Sequence, residues 1–378
     1  MTTSVLISGA GVAGSTAAYW LARHGFEVTV VERATGQRSS GNPVDVRGPA
    51  LPVAEAMGVT AALRERATHA DAMRVIGRNG RTVARLPMQS TPGAVEIPRA
   101  DLAAVLHEAA RDRAEFRYDD SIVSLSGDAA GVDVTFDRAA PQRFDLVIGA
   151  DGLHSAVRRL AFGPERDLVT HLGVWVASLP LGEAPQDPRH VLLYNEPGRL
   201  VSIHPSRGEA LIAFIFRGPA IPGLDHRDTD RHRRIVADAY AGAGWQVPAL
   251  LAKLPDADLY FDSVSRVHLP EWTHGRITLA GDAASCVSLF GDGSSLAMAG
   301  AHTLASSLAA DGIDAGLRRY ESEHRVRTDA KVRTAGRSAA LVVPRTRLGL
   351  ATRNAAARLL GRRSASAERR DPAGVGRR

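Results

Sequence analysis

The chain carries a single cysteine, Cys286, in 378 residues. That excludes an intramolecular disulfide and any multi-cysteine metal site. No apolar run is long enough to span a bilayer. The start, Met1-Thr-Thr-Ser-Val-Leu-Ile-Ser-Gly-Ala10, lacks a basic n-region and an apolar stretch of signal-peptide length. The expected location is therefore the cytoplasm, with no membrane partner. There is no internal repeat. No Ser/His/Asp or paired-carboxylate constellation points to a hydrolase, and no metal site is expected.

What is present is ordinary globular composition, 44% hydrophobic and 23% charged. The chain is long enough for two lobes with separate cores. A pI near 9.9 raises the question of nucleic acid. However, ten of the 47 basic residues and only two of the 41 acidic ones lie between Arg345 and Arg378, leaving 37 against 39 in the body. The basicity belongs to a tail with no aromatic residue to stack a base, so nucleic-acid binding is not expected. From about Arg362 the tail is polar and reads as disordered.

Val5-Leu-Ile reads as a short buried strand. It runs through a glycine turn into a helix carrying Ala17, Ala18, Leu21 and Ala22 on one side. Gly25 suits the helix end, and Val28 to Glu32 reads as a second strand, so this is a βαβ unit with parallel strands. A helix is expected after Pro49 and another from Asp101 to Arg111. Residues 72–97 look strand-like, with a hairpin turn at Arg78-Asn-Gly-Arg81. Val132 to Phe136 alternates as a half-exposed strand. Residues 172–217 suggest an antiparallel sheet, a second lobe. After Arg266 the pattern returns to strand, glycine turn and helix.

Three motifs carry the chemistry. Gly9-Ala-Gly11-Val12-Ala13-Gly14 allows a tight turn, close backbone approach to a pyrophosphate, and a helix whose N–H groups and positive dipole end face the phosphates. Glu32 follows 18 residues after Gly14, where a carboxylate can accept from ribose hydroxyls. This motif alone does not separate FAD from NAD. The second, Asp145-Leu-Val-Ile-Gly149-Ala-Asp151-Gly152-Leu-His-Ser155-Ala-Val-Arg158, is a strand that breaks at Asp-Gly. The third, Gly275-Arg-Ile-Thr-Leu-Ala-Gly281-Asp282, ends in Gly-Asp and is followed by Phe290-Gly-Asp-Gly293-Ser294-Ser295-Leu296 and a small-residue helix.

Together the three, in this order, resemble the class A (single-component) FAD-dependent monooxygenases with the p-hydroxybenzoate hydroxylase fold. That group includes tetracycline-inactivating-type monooxygenases. The resemblance runs to about residue 350. It implies an α/β protein with a Rossmann-like FAD-binding domain of the GR2 type, an inserted antiparallel-sheet substrate domain and C-terminal helices. The expected boundaries are 1–71, 99–171 and 266–310 for the FAD-binding domain, and 72–98 and 172–265 for the substrate domain. The C-terminal helices would occupy 311–361 and the tail 362–378.

The resemblance also implies roles. Gly9, Gly11, Val12, Ala13 and Gly14 would face the FAD pyrophosphate. Glu32, with Arg33 beside it, would face the adenosine ribose. Arg99 and, more loosely, Arg47 would lie near the cofactor. Asp151 and Gly152 fall in the motif that supports both FAD and NAD(P)H binding, and Asp282 would meet the ribityl and pyrophosphate region. Gly293, Ser294 and Ser295 would begin a helix facing the flavin, whose positive end suits an anionic reduced ring. Cosubstrates would be O2 and NADPH or NADH, the latter binding transiently, because there is no second GxGxxG. The implied reaction oxygenates a small aromatic or polyketide-like compound through a flavin C4a-hydroperoxide, in a monomer or weak dimer. Trp175, His204, Phe214 and Phe216 are candidates for the substrate pocket, with sheet core as the alternative.

The chain departs from the family at Ser285, at Cys286 to Leu289, where a proline is missing, and at Gly291-Asp-Gly293, where glutamine is usual. Asp292 is expected to turn to solvent between its two glycines. His226 and His232 are expected on a solvated helix face, and Cys286 as a small packing residue. A reductase of the same fold and a catalytically silent FAD or small-molecule binding protein remain open alternatives. The four tryptophans lie far apart, which argues against a flavin halogenase.

Overall fold

The computed structural model describes residues 2–36, 43–88, 91–206, 208–286 and 292–356. The tail from Arg362, and the Cys286–Leu289 departure beyond Cys286 itself, lie outside the described residues.

The opening βαβ unit is β1 (Ser4–Ser8), α1 (Val12–Arg23) and β2 (Glu27–Glu32). β3 (Pro43–Val46), α2 (Ala50–Ala56) and α3 (Thr60–Glu65) lead to the hairpin β4 (Ala72–Ile76) and β5 (Thr82–Pro87). Then come β6 (Val95–Pro98), α4 (Arg99–Ala110), β7 (Glu115–Tyr118), β8 (Ile122–Gly127), β9 (Val132–Phe136) and β10 (Gln142–Phe144). β11 (Leu146–Gly149), α5 (Ala156–Ala161) and α6 (Glu165–Leu168) precede β12 (Val169–Pro180), β13 (His190–Glu196), β14 (Arg199–His204) and β15 (Leu211–Arg217). After α7 (Thr229–Ala239), α8 (Val247–Leu251) and β16 (Tyr260–Val267), the chain returns through β17 (Thr273–His274), β18 (Ile277–Leu279) and α9 (Asp282–Ser285) to α10 (Gly293–Val342). A non-helical Gly312, at φ 72°, breaks α10.

Six strands form the first sheet, in the order β17-β18-β11-β1-β2-β7. From β18 to β7 all neighbours are parallel. Such strands are buried on both faces, which is why Val5, Leu6, Ile7, Leu146, Val147 and Ile148 form continuous apolar runs without alternation. α1 is apolar nearly all round because it packs between this sheet, α4 and α10. The second sheet has the order β16-β12-β15-β14-β13-β4-β5 and is antiparallel except where β13 meets β4. It is built from residues 72–87 and 169–267, so β12 starts earlier than expected. β6, expected in the substrate lobe, pairs with β3 instead, and Val95 and Ile97 bury in the core of the FAD-binding lobe. Among the described residues no helix is long and apolar enough to cross a membrane.

The glycine turn shows why its spacing is restrictive. Gly9 has φ +101°, and a Cβ there would lie 2.7 Å from Ala150 O; one at Gly14 would lie 1.9 Å from Gly9 O. Gly11, in contrast, has nothing within 4 Å. The two positions should therefore fail differently. Gly14→Ala should lower the melting temperature of the cofactor-free protein, since overpacking costs about 1–3 kcal/mol. Gly11→Ala should leave that melting temperature nearly unchanged and reduce only the FAD retained. Melting curves and flavin content on both variants check this; equal stability loss in the two would refute it.

Candidate active site

Parallel strands end on one edge, so the residues that follow them meet there. The contacts are direct. Gly9 packs on Ala150, and a Cβ at Gly281 (φ +60°) would come within 2.7 Å of Ala13 Cβ. The buried Arg158 donates from Nη1 to Ala283 O at 3.1 Å, and from Nη2 to Leu153 O. The three motifs, far apart in sequence, thus touch one another.

Their polar groups divide into those used internally and those left facing the cleft. Glu32 accepts from Ala10 N at 3.0 Å and Ala34 N at 2.9 Å, so it braces the glycine turn, with Arg33 exposed beside it. Asp151 accepts from Ala156 N (2.8 Å), Val157 N (3.2 Å), Ser8 Oγ and Ser155 Oγ, and so caps α5. Beside it Gly152 has φ +79° and open space where a side chain would be. α1 begins on Gly11 with no side-chain cap and no first-turn acid. The N–H groups of its first turn, at Val12, Ala13 and Gly14, are those a helix leaves to an external acceptor.

Asp282 is different. Its carboxylate lies 3.7 Å from Arg99 and receives no hydrogen bond from a described residue. Burial raises its pKa against the attraction of Arg99, with Asp262 adding repulsion. An under-satisfied carboxylate in a recess, beside open glycine positions and a bare helix end, fits a phosphate- and hydroxyl-rich dinucleotide.

At the start of α10, Gly293 has open space around it and Ser294 is buried. Ser295 Oγ donates to Asp45 O at 2.7 Å and accepts from Arg47 N at 3.0 Å, tying this helix to β3. Asp292 does not turn to solvent. It sits between two cations, with Oδ1 2.8 Å from Arg47 Nη2 and Oδ2 2.5 Å from Lys331 Nζ. Burial disfavours its charge, but the hydrogen bonds from Lys331 and Arg47 prevail and its pKa falls. The free glycine backbone was outweighed by a partner on α10 that lies 39 residues further along the chain.

The second sheet presents one face to this cleft. Asp262 bonds His154, in the loop after β11, while α9 packs on β16 and Tyr260 feels the charges of Arg99 and Asp282. Registers place Ser178, Ala213, Ser202 and His204 on that same face. Trp175, Phe214 and Phe216 point the other way. They pack in a core with Tyr240, Val247 and Leu250 under α7 and α8, Phe214 meeting Tyr240 edge-on at 5.0 Å. Only His204 of the four pocket candidates faces the cleft, because strand alternation separates it from the aromatic positions.

His154 went unnoticed although it stands inside the second motif. Its Nδ1 lies 2.9 Å from Glu165 of α6, and its Nε2 lies 3.0 Å from Asp262 of β16, which ties this loop to the second sheet. Burial alone would lower its pKa; the hydrogen bonds to Asp262 and Glu165 outweigh this and push it up to about 9. His226 lies tilted against it, with ring centroids 3.6 Å apart. Donor atoms of His154, His226 and Asp262 lie within 4.8 Å of one another. A cation could use them only if His154 gave up a proton that two carboxylates hold. His232 is not on a solvated face: it is buried and stacked on Phe261 at 4.6 Å. Cys286 is buried.

A tight glycine turn at an uncapped helix start, a recessed carboxylate and a second helix end at one sheet edge, faced by a second sheet, are the features of a two-lobed dinucleotide-dependent oxidoreductase. The family model described as FAD binding domain matches residues 2–335. The chain is 40% identical over 333 residues to "Uncharacterized protein Rv1260" of Mycobacterium tuberculosis (strain ATCC 25618 / H37Rv), across 85% of this chain and 89% of the relative. It is 33% identical over 313 residues to a flavin-dependent monooxygenase of Legionella longbeachae serogroup 1 (strain NSW150), across 80% of each. The crystal structure of tetracycline destructase Tet(51) superposes with a TM-score of 0.83 at 28% identity, over 95% of this chain and 96% of that one. The chain belongs to the FAD-binding domain family and, within it, to the FAD-dependent monooxygenases.

Two outcomes follow. Asp282→Ala should weaken FAD binding about 10- to 150-fold, since hydrogen bonds to a charged group contribute about 1.5–3 kcal/mol; fluorescence titration of FAD into the folded variant measures it, and an unchanged Kd would refute the assignment. The second concerns pH. Folding raises the pKa of His154, so its contribution to stability is complete below the unfolded value of 6.5 and is lost as pH climbs through about 9. Asp262 and Glu165 have lowered values, so their share is lost only in acid. Between pH 6.5 and 9.5 the melting temperature should therefore fall by a few degrees more in the unmodified protein than in His154→Gln. Parallel slopes would show that the network carries no proton linkage.

Proposed function

We propose that the protein uses NAD(P)H and O2 to hydroxylate a small aromatic or polycyclic, polyketide-like compound held between the two sheets. When bound, FAD supplies the redox and oxygen-transfer chemistry. The protein's share is binding, orientation and exclusion of water. The first-turn N–H groups of α1 and the turn at Gly9–Gly14 would hold the pyrophosphate, and Asp282 would accept from a cofactor hydroxyl. The positive end of α10 at Gly293 would favour negative charge on a reduced ring. Asp292, neutralised by Arg47 and Lys331, leaves that field intact.

The observation that carries the reading is the meeting of all three motifs at one sheet edge, opposite a second sheet with its own core. The likeness to a tetracycline destructase supports a polycyclic substrate class. The site would have to exclude water, which otherwise diverts reactive chemistry of this kind into side reactions. On the same side of the sheet Val174, Val176, Leu200, Ile215 and Val264 pack under Val343 as a small core of their own.

FAD-loaded protein should oxidise NAD(P)H faster when a phenolic or polycyclic compound is added, consuming O2 and giving a product heavier by one oxygen atom. Oxygen electrode traces and mass spectrometry read both. Stimulated oxidation that proceeds without O2 and yields a reduced product would replace this reading with a reductase; a folded protein that binds no FAD would overturn it entirely.

A further inference from the structure

His154, His226 and Asp262 come together from three parts of the chain: the loop after β11, the segment between β15 and α7, and β16. They stand 72 and 36 residues apart, so no spacing announces them. One donor atom from each lies within 4.8 Å of the other two. The edge from His154 Nε2 to Asp262 Oδ1 is 3.0 Å. A tetrahedral ion with bonds of about 2.0–2.1 Å keeps its donors about 3.4 Å apart, so this edge is close to the right length. The third donor has room to close on the other two. His226 is exposed, sits in a turn, and has no hydrogen-bond partner among the described residues; its ring centroid is 3.6 Å from that of His154.

The groups behind the donors are also in place. His154 Nδ1 meets Glu165 Oε1 at 2.9 Å. A carboxylate on the far nitrogen is what fixes the ring of a metal-bound histidine. Arg158 Nη2, 3.7 Å from Glu165 Oε2, steadies that carboxylate in turn. Asp262 Oδ1 accepts from Ser263 N at 2.6 Å, and its Oδ2 from Tyr260 OH at 3.3 Å. The donor set is two imidazoles and one carboxylate, and the charges of Asp262 and Glu165 balance a 2+ ion. Imidazole suits zinc and its neighbours in the first transition row, whereas Mg2+ and Ca2+ take oxygen ligands.

We propose that His154, His226 and Asp262 bind one divalent transition-metal ion of the zinc type, with Glu165 orienting His154 from behind. The ion takes the place of the proton between His154 Nε2 and Asp262, while Nδ1 keeps its proton for Glu165. Water fills the fourth position. Without the ion the same atoms form the hydrogen-bonded network described above. With it, the loop that carries the Asp-Gly motif is clipped to β16 and to the entry of α7. The inference does not depend on the oxygenation reading.

The test uses full-length, FAD-loaded protein stripped of metal with EDTA, then titrated with Zn2+ by calorimetry and with Co2+ by visible absorption. The expected result is one Zn2+ per chain with a micromolar or tighter Kd, and intense Co2+ bands that mark four-coordination. Zinc at about 100 times its Kd should raise the melting temperature by about 1–3 °C. His226→Ala, at an exposed position outside the hydrogen-bonded network, should weaken zinc at least about tenfold and abolish that rise. His226→Asp should recover part of the loss, because it restores a donor. Glu165→Gln should weaken zinc about 10- to 100-fold without removing a ligand. Absence of saturable zinc binding would overturn the inference. So would binding that His226→Ala and Asp262→Asn leave unchanged, which would place the ion elsewhere among the 13 histidines.

Discussion

The structure depends on backbone meeting backbone where β1 and β11 end side by side. Gly9 lies so close to Ala150 that no side chain fits between them, and Gly14 lies just as close to Gly9. This contact sets the height of α1 over the sheet. It also brings Asp151 beside Ser8, and the turn after β18 beside Ala13. A change of a few tenths of an ångström there would move the glycine turn, the Asp-Gly turn and Asp282 together.

Around that contact the charged groups serve two different ends. Glu32 and Asp151 spend their carboxylates on backbone N–H groups, and in doing so they shape the turns that open toward the cleft. Their part is geometric, and an under-coordinated Asp282 is left as the acceptor facing outward. Asp292 is balanced by cations from β3's end and from α10, so the departure from the family's glutamine brings little net negative charge. His154 holds the loop after β11 against β16 through Asp262, with Glu165 of α6 on its other nitrogen. The lobes are therefore joined by a charge network at one side and by apolar packing of Val343 at the other.

Much of this was legible in the residues. β9 spans Val132–Phe136 as its alternation says, and the hairpin turns at Arg78-Asn-Gly-Arg81. The glycine turn, the Asp-Gly break and the Gly-Asp end, taken in order, carried the resemblance that implied FAD, and close backbone approach explains the glycines at 9 and 14. The pocket was less legible. Trp175, Phe214 and Phe216 carry the size and chemistry of pocket residues, but alternation alone does not say which face of a sheet a helix will cover. α7 and α8 cover theirs. His232 misled for the same reason: its neighbours are charged, yet its own side turns onto Phe261.

The sequence by itself determined the βαβ start and the two-lobed plan, which rest on local periodicity and turn chemistry, and through the order of its three motifs it carried the resemblance that implied the cofactor class. The tertiary structure decided that Asp282 is left without a hydrogen bond from a described residue, that Lys331 on α10 meets Asp292 at the helix's own start, and that Trp175, Phe214 and Phe216 lie on the side that α7 and α8 cover. Those depend on strand register and on which side each sheet is covered. A side chain's period along its own strand records the alternation but not the partner.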